Sequence, residues 1–497
     1  MAAPSSGMTA APQLAKRPKA QRIAPLTYIS TRGQAPVKTF TEALLAGLAP
    51  DGGLYVPEKM PTLSTDALRG FAGNSYVDVA QAVISPFLDG GPAPAEFRAM
   101  LESAYKTFRH KAVTPLAQID DNLFVLELFH GPTLAFKDVA MQLLGRLMDR
   151  ALKAQGRRAT IVGATSGDTG AAAIEAFRGL DQVDVFILYP HGRVSDVQRR
   201  QMTTVADENI HAIALEGTFD DAQAMLKTFF RDAPLREELG LSGVNSINFA
   251  RVVAQMVYYF TAAAVLGGPA RKVSFTVPTG NFGDILAGYM AQQMGLPVEK
   301  LVVATNSNDI LARALETGRY EVRGVHATQS PSMDIQVSSN FERLLFDALD
   351  RDAATLRGLM ASLDQSGAFD IPAPALAAIR QKFSAGSASE AETAEEIART
   401  YRECGYILDP HTAVAVHVAR KNAARDPQTP MVALGTAHPA KFPDAVKAAI
   451  GVTAPLPAHL ADLFERREKF DILPNDPSAI AGFIKARARA VTLHHGG

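Results

Sequence analysis

The sequence predicts an α/β protein built on parallel sheets, and three observations carry that reading. From about Leu123 onward, short apolar runs alternate with longer amphipathic segments. The loops that lead from an apolar run into the next helix are rich in Gly, Ser, Thr and Asn. A length of 497 residues is enough for two to four structural units. Hydrophobic residues make up 47% and charged residues 20%, the balance of an ordinary globular chain. Fifty basic and fifty-one acidic side chains leave a formal net charge of -1, which gives no reason to expect nucleic acid or a membrane surface as a partner. The single cysteine, Cys404, excludes an internal disulfide and a cysteine-based zinc site. No metal is expected, and packing must hold the fold, as is usual in the reducing cytoplasm. No run of 18 apolar residues suggests a membrane span.

The first 25 residues are rich in Ala, Pro and Ser, carry Lys16, Arg17, Lys19 and Arg22, and hold no acid. They read as a disordered extension or an upstream start, with an organelle transit peptide as the alternative. A secretory signal is excluded by the lack of an apolar central region. Residues 26–115 read as a separate mixed unit that contains the turn-rich stretch 49–56 and no group that suggests chemistry. The alternation then begins. Strands are expected at 124–128, 159–163, 183–188, 210–215, 273–277 and 301–304, and helices after residue 137 and at 169–177, 195–203, 218–231 and 285–294. In the helix after 137, Val139, Leu143, Leu147 and Leu152 recur at four- and five-residue steps. Asp220 and Asp221 suit the first turn of theirs, where the helix dipole favours acids. Residues 353–400 read as helical, rich in Ala and Glu, and without a site. A last strand is expected at 431–434, and residues 451–497 suggest no role.

In parallel sheets, ligands bind beyond the carboxyl ends of the strands, and four loops of unusual composition fit that place. The first is His-Gly-Pro-Thr-Leu-Ala-Phe-Lys-Asp at 130–138. It sets Lys137 at the start of a helix, where the dipole disfavours a cation. Partial burial would add to that and favour the free amine that Schiff-base chemistry needs; a solvated surface lysine is the plainer reading. The second, Ala-Thr-Ser-Gly-Asp-Thr-Gly at 164–170, offers hydroxyls and helix-start N–H groups to an anion such as a carboxylate, or else simply caps its helix. The third, Pro-Thr-Gly-Asn-Phe-Gly-Asp at 278–284, has two glycines that let backbone amides approach a small phosphate; a tight capped turn is the alternative. It is neither a P-loop nor a dinucleotide fingerprint. The fourth, Asn-Ser-Ile-Asn-Phe-Ala-Arg at 245–251, could hold a phosphate through a bidentate arginine, or could be a capped helix with a surface arginine.

The loop at 130–138 resembles the cofactor-lysine motif of threonine synthases of the bacterial and fungal branch, which are fold type II, pyridoxal 5'-phosphate (PLP)-dependent enzymes. Residues 164–170, 280–284 and Gly-Thr-Ala-His-Pro-Ala-Lys-Phe at 435–442 resemble further motifs of that family, in the same order. Residues 27–33 and 48–57 resemble its N-terminal domain. The resemblance implies a tryptophan-synthase-β-like fold with two parallel-sheet domains and an added N-terminal domain. Residues 1–25 would form an extension, 26–115 the N-terminal domain, 116–450 the catalytic region with PLP between two subdomains, and 451–497 a C-terminal segment.

It further implies that Lys137 carries PLP and shuttles protons. Gly280, Asn281, Phe282 and Asp284 would hold the cofactor phosphate, and Thr436 would lie near the ring nitrogen. Thr165, Ser166, Asp168 and Thr169 would bracket the substrate carboxylate and the ring, and Ser246, Asn248 and Arg251 would grip the substrate phosphate. Many fold type II enzymes carry Asn where this chain has Asp168; threonine synthases of this branch are similar to it in having Asp. The implied reaction turns O-phosphohomoserine and water into threonine and phosphate, the last step of threonine biosynthesis, in a cytoplasmic monomer or homodimer. Threonine dehydratase, a phosphohomoserine lyase and a binding protein without chemistry are the rival readings. A nucleotide-binding protein is a poor fourth, since neither nucleotide motif is present.

Overall fold

A computed structural model describes residues 25–243 and 245–490. The extension expected at 1–25 lies, except for its last residue, outside the described residues. In chain order the elements that position the cleft are β1 (Leu116–Asp120), β2 (Leu123–Glu127), α1 (Lys137–Ala154), β3 (Ala159–Ala164), α2 (Asp168–Phe177), β4 (Val183–Pro190), β5 (Ile210–Glu216), β6 (Leu241–Ser242), α3 (Phe249–Val265), β7 (Val273–Pro278), α4 (Gly283–Gln293), β8 (Val298–Thr305), β9 (Phe383–Ser387), α5 (Pro410–Ala423), β10 (Met431–Gly435) and β11 (Asp471–Pro474).

Two sheets result. The larger runs β9-β8-β7-β10-β2-β1, parallel throughout except for the antiparallel β1–β2 edge. The smaller runs β11-β5-β4-β3-β6 and is wholly parallel. The chain starts the larger sheet, crosses through α1 to build most of the smaller one, and returns through α3. Parallel strands covered on both faces need continuous apolar sequence, and β4 and β7 are buried at every position. The helix Phe219–Arg231 begins as its sequence suggests: Thr218 caps it, accepting from the Asp221 N–H, and Asp221 reciprocates.

The N-terminal unit is packed onto this frame. Its strands Tyr28–Ser30 and Tyr55–Pro57 pair antiparallel, and its apolar side chains share one core with α1 and α3. The Phe249 ring lies 5.4 Å from Tyr28 and 6.1 Å from Phe87, and Phe260 lies 5.9 Å from Phe71. Helix α3 is buried on nearly all sides, because it fills the seam between the N-terminal unit and the sheets.

Two expectations are corrected. Residues 353–400 are not uniformly helical: Ala368–Asp370 and β9 interrupt the helices, and β9 is an edge strand of the larger sheet. Its sequence, Phe-Ser-Ala-Gly-Ser, is small and weakly patterned, so pairing with β8 rather than propensity makes it a strand. The segment after residue 450 is also structural. β11 pairs with β5, and the helix Pro477–Lys485 lays Ile480 and Ile484 into an apolar cluster with Ile213, Leu215 and Phe229. Arg489 binds the buried carboxylate of Asp184 at 2.7 Å. No helix among the described residues is long and apolar enough to cross a membrane.

Ile480 has no exposed surface. Truncating Ile480→Ala is expected to cost about 3 kcal/mol through lost burial and the cavity left behind. Urea denaturation reads this directly, and a loss below about 0.5 kcal/mol, the size of an ordinary surface substitution, would show that the segment merely rests on the sheet.

Candidate active site

The carboxyl ends of β2, β3, β7 and β10 open onto one cleft of about 1590 Å³. Ligand pockets typically measure roughly 300–1,000 Å³, so this cleft has room for a cofactor and a substrate together. Its walls include Lys137, Thr165, Ser166, Asp168, Thr169, Ser246, Arg251, the 280–284 loop and Thr436. Of the residues singled out in the sequence, Asn248 alone is absent from the lining.

Lys137 is the first residue of α1 and is buried. The loop before it is held on two sides. Asp138 accepts from the Thr133 N–H at 2.8 Å and from its hydroxyl at 2.7 Å. Only glycine fits at 131, since a Cβ there would stand 2.5 Å from the Asp138 side chain. The loop also pairs with the one after β10: the Phe136 N–H donates to the Thr436 carbonyl at 2.9 Å, and the His438 N–H to that of Leu134 at 3.0 Å. Lys137 and Thr436 are thereby placed as a unit.

The loop after β3 folds around Thr165, whose hydroxyl oxygen accepts from Gly167 and Gly170 at 2.9 Å each. Asp168 opens α2 and sits between two lysines: its Oδ1 is 2.8 Å from Lys441 Nζ, and its Oδ2 is 3.6 Å from Lys137 Nζ. Gln198 donates to it at 2.9 Å, and the Ser332 hydroxyl lies at 3.4 Å. Burial alone would raise its pKa, but Lys441 and Lys137 outweigh burial and hold the carboxyl well below the usual range. Burial lowers the pKa of Lys137; Asp168 opposes this, while Lys441 and Arg251 reinforce it, and the net shift is toward the free amine. A side chain held this firmly as an anion suits a lysine counter-ion, not a contact to a substrate carboxylate.

The loop after β7 is tied to its neighbours. Phe282 takes the left-handed conformation, φ 62°, with its ring packed on Phe341 and Phe383. The Gly280 carbonyl accepts from the Ser338 hydroxyl at 2.6 Å, and that of Asn281 from Asn340. A Cβ at Gly280 would stand 2.8 Å from the Ser332 carbonyl oxygen. The loop runs into the N-terminus of α4, a ready anion cradle. A lysine biased to its amine, a glycine-lined cradle at a helix start and a buried hydroxyl at Thr436 fit PLP, whose aldehyde, phosphate and ring nitrogen call for those three groups.

Arg251, in the first turn of α3, is 4% exposed, and its Nη1 has no hydrogen-bond partner. Burial lowers its pKa to about 10, so it stays cationic at neutral pH. Ser246 lines the cleft beside it. Asn248 does not: its amide donates to the Leu44 carbonyl at 2.8 Å, and its oxygen caps α3 through the Ala250 N–H at 3.1 Å. Both polar atoms are committed, so Asn248 sets the helix that presents Arg251 and does not grip an anion.

Several participants were not found from the sequence. Lys441 is one. His411 lines the cleft, with Nδ1 on Asp409 at 2.9 Å and Nε2 accepting from the Ser332 N–H at 3.3 Å. The hydroxyls of Tyr258 and Tyr259 donate to Oδ1 of Asp284, while its Oδ2 has no partner. Burial pushes Asp284 up to about 6, against those two hydrogen bonds. Its folded pKa therefore exceeds its unfolded value of about 3.9, and the stability it contributes is present below pH 4 and lost as the pH rises through about 6. The stability of the native chain relative to Asp284→Asn should fall by about 3 kcal/mol between pH 4 and 6.5 and stay level above that. Paired denaturation curves across that range check it; a constant difference would show that Asp284 is ionised throughout.

Three family models match the chain: threonine synthase N terminus over residues 27–105, pyridoxal-phosphate-dependent enzyme over 107–436, and threonine synthase, C-terminal, over 412–484. The threonine synthase of Pseudomonas aeruginosa is 54% identical over 92% of this chain and 98% of its own length. That of Saccharomyces cerevisiae is 43% identical over 85% of this chain and 89% of its own. Among solved structures, the PLP-bound threonine synthase of Brucella melitensis superposes with a TM-score of 0.92 at 59% identity, covering 93% of this chain and all of the other. A threonine synthase from yeast superposes with a TM-score of 0.88 at 39% identity, covering 94% of this chain and 99% of the other. Coverage this complete, in sequence and in structure and on both sides of the cleft, makes the chain a member of the threonine synthase family of PLP-dependent enzymes.

Proposed function

We propose that the chain converts O-phospho-L-homoserine and water into L-threonine and phosphate, with PLP bound in the cleft and Lys137 as its anchor and proton carrier. One observation carries the reading: the same cleft holds a buried lysine biased to its amine and a buried arginine with an unpartnered Nη1. An aldehyde cofactor takes the first, and a substrate bearing a phosphate takes the second. The lone thiol, Cys404, suits a cytoplasmic setting.

When bound, PLP supplies the electron sink for charge left at carbon after proton removal. The remaining work belongs to the chain. The backbone of Gly280 and Asn281, at the start of α4, holds the cofactor phosphate; Phe282 and Asp284 fix the shape of that loop. The Thr436 hydroxyl offers the ring nitrogen a neutral partner. Thr165, Ser166 and Thr169, at the N-terminus of α2, bind the substrate carboxylate, and Asp168 serves Lys137 beside them. Arg251 and Ser246 hold the substrate phosphate and stabilise it as it departs from Cγ. Lys137 Nζ takes the proton from Cα. A second proton leaves Cβ as phosphate departs from Cγ, and Cγ takes up a proton to become the methyl group. Once water has added at Cβ, Lys137 returns a proton to Cα.

Incubating the PLP-loaded protein with O-phosphohomoserine should release phosphate and threonine in equal amounts. Phosphate with 2-oxobutyrate would make it a lyase instead, and no phosphate would remove the substrate assignment. Lys137→Ala should abolish turnover while leaving the melting temperature near that of the native chain. Arg251→Gln should lower kcat/KM by about a hundredfold or more, the scale of losing a buried charge partner of the leaving group. A near-native kcat/KM in that variant would move the phosphate site elsewhere.

A further inference from the structure

The charges on the cleft floor do not balance, and the imbalance gives Lys441 a task. One carboxylate, Asp168, faces two lysine side chains. Lys441 holds the better claim. Its contact is 2.8 Å against 3.6 Å for Lys137, it also donates to the Thr133 carbonyl at 2.7 Å, and it has no exposed surface. Its Nζ is thus enclosed between a carboxylate oxygen and a carbonyl oxygen.

Lys137 is then the surplus cation. We propose that Lys441 is a positioning residue for the reaction: it occupies the charge of Asp168, so that Lys137 is left as the free amine that receives the cofactor. This rests on Lys137 being the cofactor lysine. Without Lys441, Asp168 would be neutralised by Lys137 alone, and the nucleophile would be locked as an ammonium. The other charged groups facing the pair do not replace Lys441. Arg251 on α3 pushes Lys137 in the same direction, and it forms no ion pair with Asp168. Asp138 on α1 is held by Thr133, and burial pushes it up to about 7, so it is a weak counter-charge for either lysine.

The test is the pH profile of Lys137 acetylation in the full-length chain freed of cofactor, read at that residue by peptide mass spectrometry. In Lys441→Met and in Lys441→Gln, which retains hydrogen-bond donors toward Thr133 and Asp168, the midpoint should rise by about one pH unit or more. That is about a tenfold loss of free amine at neutral pH, and PLP capture should slow by the same factor. Adding Asp168→Asn to Lys441→Met removes the charge that would hold Lys137 protonated and should bring the midpoint back to the native value or below. An unchanged or lowered midpoint in a folded single variant overturns the proposal. So does a double variant that stays shifted, a measurement that remains available if the single variants fail to fold. A purely structural role would lower the melting temperature without moving the midpoint. Borohydride reduction of the native holoenzyme with peptide mapping checks the underlying reading separately, since cofactor trapped on another lysine would sink the role of Lys137 but not the charge argument.

Discussion

A carboxylate enclosed between two lysines ties the parts of the cleft together. An unpaired buried charge is costly, so Asp168 is tolerable only where its partners arrive in register. Those partners come from distant parts of the chain: Asp168 opens α2 beside the smaller sheet, Lys137 opens α1 at the end of the larger one, and Lys441 lies on the turn after β10. The two sheets must therefore face each other across the cleft for the three charges to meet. Backbone pairing between the 130–136 loop and the 435–438 loop fixes part of that register before any side chain is considered. The helix dipoles add a bias. A carboxylate at the start of α2 is favoured and an ammonium at the start of α1 is not, so both ends push charge off Lys137 and onto Asp168.

Much of the fold was legible because parallel strands buried on both faces must be apolar throughout. The runs that became β3, β4, β5 and β7 announce themselves without any knowledge of their partners. The edges were not legible, and for one physical reason. β6 is two residues long, β9 has only small residues after Phe383, and β11 contains Pro474 and is largely exposed. Each is a strand because a neighbour offers it a ladder, and a neighbour some 260 residues away leaves no local trace, as with Asp471 beside Ile213. The same limit hid the tail after residue 450, whose helix is amphipathic only with respect to a sheet built far earlier in the chain.

The site divides in the same way. The loops at 130–138, 164–170 and 278–284 stood out because glycines and hydroxyls concentrate where backbone N–H groups must face an anion. Lys441, Gln198 and the Tyr258–Tyr259 pair did not, since their meaning lies wholly in what they touch. Asn248 shows how a local pattern misleads. Its spacing to Ser246 and Arg251 suggests a phosphate grip, yet asparagine is also among the best helix caps, and the cap is the role it takes. The two readings converge on Arg251, because the cap sets the helix start that carries the guanidinium into the cleft.

The electrostatic design also separates holding an anion from activating an amine. Two of the three anionic groups that the proposed reaction brings into the cleft meet helix N-termini, which attract negative charge without adding a formal cation beside Lys137. The third meets Arg251, a full charge that itself contributes to freeing the amine. A phosphate seated on Arg251 offsets that push and strengthens the hold of Lys137 on a proton. On the proposed roles, the lysine would be less basic before substrate binds, when it acts as a nucleophile toward the cofactor. It would become more basic with substrate bound, when the proposed reaction has it take a proton from carbon. In the proposed reaction, a single buried arginine, placed by a capped helix, would couple substrate recognition to the proton affinity of Lys137.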